Sequence, residues 1–155
     1  MLTDDMKELV AGTMLCFAAT TNEDGSPNLS PKSSLRVHDD SHLMFANMAS
    51  PGTVANLRRD PRIELNCVDI FSRRGYRFFG KAQLFSEGDP LYAALREEVE
   101  AEHGESLPVH DAVLIEVLEA SPVISPAYTF VEGGTEDRLR DAYRGKYGVQ
   151  PRTAS

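Results

Sequence analysis

The feature that most restricts this chain is how quickly it reverses on itself. Three strand-length runs, 14–20, 28–38 and 42–48, are separated by Asn22-Glu23-Asp24-Gly25-Ser26-Pro27 and by Asp39-Asp40-Ser41. Asp24-Gly25 between such runs is a strong hairpin signal, because the favoured two-residue turns need positive φ. Parallel strands would need a crossover of a dozen or more residues. These runs therefore pair antiparallel. Downstream, Ile63, Leu65 and Cys67 alternate with Arg62, Glu64 and Asn66, which marks a strand over 62–69. Further strands are expected over 76–85, with Gly80 at a bend or bulge, over 112–118, and as a short segment at 128–131. About six mostly hairpin-linked strands do not make an alternating βαβ chain. They must hide their edges, which predicts a mainly β fold: a six-stranded antiparallel Greek-key split barrel in one domain, 1–155, with peripheral short helices.

Those helices carry their own punctuation. Thr3 caps the first, Met6, Leu9 and Val10 share a face, and Gly12 ends it. Ser50-Pro51 opens a second, which Asp60-Pro61 stops. Asp89-Pro90 opens a third with Leu91, Leu95 and Val99 at four-residue spacing. A C-terminal helix over about 135–148 is capped by Thr135 and carries Leu139, Ala142 and Tyr143.

Charge and composition exclude several functions. A net charge of −8 opposes binding to nucleic acid or an anionic membrane surface. Cys16 and Cys67 lie far apart in apolar runs, so no disulfide framework is expected and a reducing cytoplasm fits. The first residues carry Asp4 and Asp5 and do not read as a signal peptide. No run approaches the roughly 20 apolar residues of a membrane span. His38 and His42 are separated by a turn and have no third ligand, so no metal site is expected. His103 and His110 flank a loop. The acidic stretch 96–102 reads as a solvated helix face. Arg73, Arg74 and Arg77 among Phe71, Tyr76, Phe78 and Phe79 suit an interface loop or a clamp over an anionic cofactor better than a nucleic-acid patch. No P-loop, nucleophile elbow or Ser/His/Asp arrangement is present.

Two segments could carry chemistry. Ser50-Pro51-Gly52-Thr53 follows a strand and opens a helix, whose N-terminus offers free N–H groups and partial positive charge. Gly52 permits close approach, and Ser50 and Thr53 add hydroxyls. Nearly every helix needs a cap, so plain capping explains the same residues. In Ser30-Pro31-Lys32-Ser33-Ser34-Leu35-Arg36-Val37, strand period puts Lys32, Ser34 and Arg36 on one face, either exposed or lining an anionic site. Taken alone, this strand favours the exposed reading. Sequence does not fix whether the two segments converge.

Phe45 to Ile63, together with Ser30 to Val37 upstream and Gly80-Lys81-Ala82 downstream, resembles the flavin-binding split barrels related to pyridoxamine-phosphate oxidase, and the resemblance covers roughly residues 5 to 130. The resemblance implies a homodimer with FMN in clefts at the subunit interface. It places 31–36, including Lys32, Ser33 and Ser34, beneath the flavin ring and ribityl chain. It makes Arg36 the basic phosphate ligand, ahead of Lys32. It sets Ala46 and Asn47 beside the flavin and Ser50 and Thr53 at the phosphate. Arg74 and Tyr76 would reach the cofactor from the other subunit. The implied activity is FMN-dependent reduction or oxidation of a small molecule, with a reduced nicotinamide or organic substrate stacked on the ring. No side chain is identified as acid or base. Vitamin-type oxidases carry a basic pair where this chain has Gly52-Thr53, and their C-terminal substrate-phosphate residues have no match. True pyridoxamine-phosphate oxidase activity is therefore not expected. Relatives of this barrel also bind the deazaflavin F420 or haem, which leaves a non-catalytic carrier of flavin, F420 or haem as the alternative.

Overall fold

The computed structural model describes residues 1–150. Its element order is α1 (Asp4–Gly12), β1 (Cys16–Thr21), β2 (Pro27–Lys32), β3 (Arg36–Val37), β4 (His42–Asn47), α2 (Pro51–Arg59), β5 (Arg62–Asp69), β6 (Arg74–Phe85), α3 (Pro90–His103), β7 (Asp111–Ile124), α4 (Ala127–Phe130) and α5 (Glu136–Tyr147). All strands join one antiparallel sheet in the order β2-β1-β5-β6-β7-β4-β3.

That order forces curvature. β2 and β3 sit at opposite ends of a seven-stranded sheet but are joined only through Ser33, Ser34 and Leu35. A flat sheet that size would be roughly 29 Å across at ~4.8 Å per strand. The connection can reach at most about 14 Å. The sheet therefore curls into a split barrel, with the split at this crossing.

The crossing corrects the expected continuous strand over 28–38 and raises the strand count to seven. Ser34 causes the break: its hydroxyl accepts from Ala46 N–H at 3.0 Å, which pulls the chain off β1 and onto β4. Lys32 and Ser34 are buried there, not exposed. The short strand expected at 128–131 is instead the helical turn α4, started by Pro126 in the right-handed region and tied by Tyr128 Oη donating to Ser72 O at 2.7 Å. β7 runs beyond 118 because it follows β6 past the last β4 pair, His42 with Glu116. Pro122 is tolerated on that one-sided stretch, where a ladder N–H is not needed. Gly80 does sit at a register shift, between Phe79 and Gly80.

The barrel core is built from alternating inward residues, including Leu43 and Phe45 of β4, Ile63, Leu65, Phe78, Val113 and Ile115, and is closed by Leu9 and Val10 of α1. The other face of β4, Met44 and Ala46, is covered by Tyr92, Leu95 and Val99 of α3. Both faces of β4 are thus buried, which fixes the strand end from which α2 departs.

Candidate functional site

The barrel split brings together the end of β2, the end of β4, the start of β7 and the N-terminus of α2. Lys32 points inward from the last residue of β2 and is only 5% exposed. Its Nζ donates to Ser30 Oγ at 2.7 Å and to Ser50 Oγ, and lies 5.1 Å from the centroid of the Phe45 ring. Among the described residues no carboxylate pairs with it. Burial pulls its pKa down to about 8.

Ser50 precedes α2, yet its hydroxyl makes no cap bond and turns to Lys32. Its backbone N–H goes instead to Asn47 Oδ1 at 3.2 Å. Asn47 Nδ2 donates to the buried Asp111 at 2.9 Å. The first turn of α2 holds no acidic residue, and among the described residues no carboxylate bonds to Lys32 or to Ser50 at the positive end of the helix. A shallow cleft of about 330 Å³ opens at the start of α2, lined in part by Asn47, Ser50, Val54, Arg58, His110 and Asp111, with Lys32 behind Ser50 rather than in its wall. Gly52 is not part of the cleft wall, and a Cβ there would meet nothing nearer than Asn28 Oδ1 at 3.9 Å, so no close contact in the fold requires a glycine. Thr53 takes another role. It is 2% exposed and its oxygen accepts from Asn28 Nδ2 at 3.1 Å, an amide that also donates to Thr20 at 3.0 Å. Among the described residues there is no group of three or more His, Cys, Asp or Glu placed to hold a metal ion.

The family model described as Pyridoxamine 5'-phosphate oxidase matches residues 2–132. The chain belongs to the pyridoxamine 5'-phosphate oxidase family. It is 28% identical over 123 residues to an uncharacterized protein of Methanocaldococcus jannaschii, covering 76% of this chain and 78% of that protein. The structure of HupZ from Group A Streptococcus is similar at 29% identity and a TM-score of 0.71, over 81% of this chain and 96% of that one. An FMN-binding protein of Syntrophomonas wolfei shares the fold at 14% identity and a TM-score of 0.69, over 77% and 84%.

Set against the family pattern, the structure gathers Lys32, Ser34, Ala46, Asn47 and Ser50 around the split, and exposed Ser33 lies in the crossing between Lys32 and Ser34. Arg36 is not among them. Its Nη1 donates to Glu98 at 2.7 Å and its Nη2 to Glu102 at 3.2 Å, so the acidic face of α3 is partly spent on this guanidinium. Arg74 and Tyr76 form a separate group. Both donate to Asp5, Arg74 at 2.9 and 3.1 Å and Tyr76 at 2.6 Å, and Arg74 Nε donates to Glu136 of α5 at 2.7 Å. These bonds hold the Asp5 carboxyl below its ordinary range and raise the Tyr76 phenol. α5 lies beyond the family match and reads the turn before β6: Arg140 pairs with Asp69 at 3.0 Å, and Tyr143 stacks under Arg73 at 4.7 Å. Sequence reasoning missed Ser30 and Asp111. Ser30 was legible as the residue two before Lys32 on a strand, but nothing local marked Asp111.

Proposed function

We propose that this chain is an FMN-binding oxidoreductase that seats the cofactor phosphate at the start of α2, with Lys32 and Ser50 as its main ligands. The observation that carries the reading is the buried Lys32 ammonium, held by two hydroxyls and the Phe45 ring with no carboxylate, one of those hydroxyls belonging to Ser50 at the positive end of a helix. Two positive groups in a poorly hydrated place are costly until an anion joins them. A phosphate would accept from Lys32, from Ser50 and from the first-turn N–H groups. On this reading a strand residue, Lys32, supplies the cation that vitamin-type relatives carry on the helix. Ser33, Ser34 and Ala46 flank the ring and ribityl chain, and the Asn47 side chain stands behind Ser50 on the phosphate side.

Bound FMN supplies the hydride and electron chemistry, and the chain binds and orients it. A second copy covers the outer face of the sheet, where Phe17 and Leu29, 39% and 65% exposed, lie on adjoining strands. In that homodimer Arg74 and Tyr76 serve the partner's site, and a reduced nicotinamide or other small molecule stacks on the open ring face. Two free buried thiols suit a reducing cytoplasm.

The test is titration of the purified protein with FMN and with riboflavin. FMN should bind at least about tenfold tighter, the value of one charge-assisted contact or more. Equal affinity would overturn the reading. A haem or deazaflavin spectrum in the purified protein would replace FMN by that cofactor.

A further inference from the structure

We propose that Asp111 is a positioning residue of this cradle: it sets the Asn47 amide and, through it, the Ser50 hydroxyl that meets Lys32. The inference rests on the phosphate reading and extends it to a residue that lines the cleft but whose carboxylate is engaged by Asn47 and Arg58.

Asn47 and Asp111 are register partners on β4 and β7, both buried. His110 N–H donating to Asn47 O at 2.8 Å fastens the same end of the ladder. The Asn47 amide bridges Asp111 Oδ2 at 2.9 Å and Ser50 N–H at 3.2 Å. A carboxamide has two orientations of nearly equal shape, which only its partners distinguish. An ionised carboxylate only accepts, and a backbone N–H only donates. Reversing Asn47 would set oxygen against oxygen at Asp111 and N–H against N–H at Ser50. The amide is locked from both ends.

The lock has a consequence at the helix start. A serine before a helix ordinarily folds its oxygen back onto a first-turn N–H. Here Asn47 holds the Ser50 backbone from behind, and the hydroxyl turns out to Lys32. The first-turn N–H groups stay available to an anion. The Asp111 carboxylate is engaged by the Asn47 amide and balanced by Arg58 Nη2 at 3.5 Å.

The experiment compares Asp111→Ala and Asp111→Asn with wild type by two readouts. One is hydrogen exchange at the Ser50 amide in the cofactor-free protein. The other is affinity for FMN and for riboflavin. Asp111→Ala should speed Ser50 exchange and weaken FMN roughly tenfold, as one lost hydrogen bond allows, with riboflavin changed less than about twofold. Asp111→Asn should recover most of both, since its carbonyl oxygen can still accept from Asn47. Should Asp111→Ala fail to fold, the exchanged pair N47D/D111N keeps both hydrogen bonds. It should retain Ser50 protection while losing FMN affinity, because a carboxylate then faces the phosphate. Wild-type Ser50 exchange in Asp111→Ala, equal losses for FMN and riboflavin, or lost Ser50 protection in the exchanged pair would each overturn the assignment. If wild type itself does not distinguish FMN from riboflavin, the phosphate reading fails, and the exchange result alone decides whether Asp111 positions Ser50.

Discussion

Replacing Lys32 by methionine isolates the cost of holding a cation in the barrel split. In the fold Lys32 titrates at about 8, against 10.5 for the free side chain, because burial disfavours its charged form. Below pH 8 both folded and unfolded chains carry the proton, and the penalty of burying the charge is fully present. Between pH 8 and 10.5 the folded state releases its proton while the unfolded state keeps it. Stability therefore rises with pH across that window. At ~1.4 kcal/mol per pH unit the gain is at most about 3 kcal/mol. Lys32→Met removes the charge with little change of length and strands no hydroxyl, since Ser30 Oγ still donates to Ser50 Oγ at 3.3 Å. The variant should be more stable than wild type at pH 7, by up to about 3 kcal/mol, and this advantage should shrink toward pH 10. Every other ionisable group is common to both proteins and cancels in the difference. Urea unfolding of both proteins at several pH values from 6.5 to 10 measures it. Adding phosphate at pH 7 should stabilise wild type and not Lys32→Met, since a ligand of the folded state alone shifts stability by mass action. A wild-type-to-variant difference that stays flat with pH would refute the reasoning.

Three further outcomes are expected. Lys32→Ala should weaken FMN by about one to two decades and Arg36→Ala by less, because Glu98 and Glu102 already occupy Arg36; titration of both variants decides, and a larger loss from Arg36→Ala would place the phosphate elsewhere. Thr53→Val should cost about 1 kcal/mol of stability in the cofactor-free protein, since Asn28 loses one of its two acceptors; a loss of FMN affinity at unchanged stability would make Thr53 a phosphate ligand instead. Gly80→Ala should cost about 1 to 3 kcal/mol, because its Cβ would stand 2.2 Å from Glu116 O in the adjoining strand; a denaturation midpoint equal to wild type would show that the register shift can absorb the methyl.

Local signals determined much of this protein. Turn chemistry at Asp24-Gly25 and Asp39-Asp40-Ser41 dictated antiparallel pairing. Thr3 and Thr135 cap the helices they were expected to cap, and Asp89 caps the helix expected to start at Asp89-Pro90, each side-chain oxygen accepting a first-turn N–H. Period-two alternation in 62–69 survives as the burial pattern of β5. These features are legible because capping, turning and alternation depend on residues a few positions apart. Only the tertiary structure decided where strand 28–38 breaks, because that follows from Ser34 bonding to Ala46, twelve residues away, and from the need to close the curled sheet. It also decided which cation meets Ser50. Strand period made Lys32 and Arg36 equivalent, but the crossing between them sends Lys32 into the split and Arg36 to the carboxylates of α3. Asp111 reaches Asn47 only because β4 and β7 are neighbours in the sheet. A contact between residues 64 apart in sequence is fixed by strand order and register, and no local pattern encodes either.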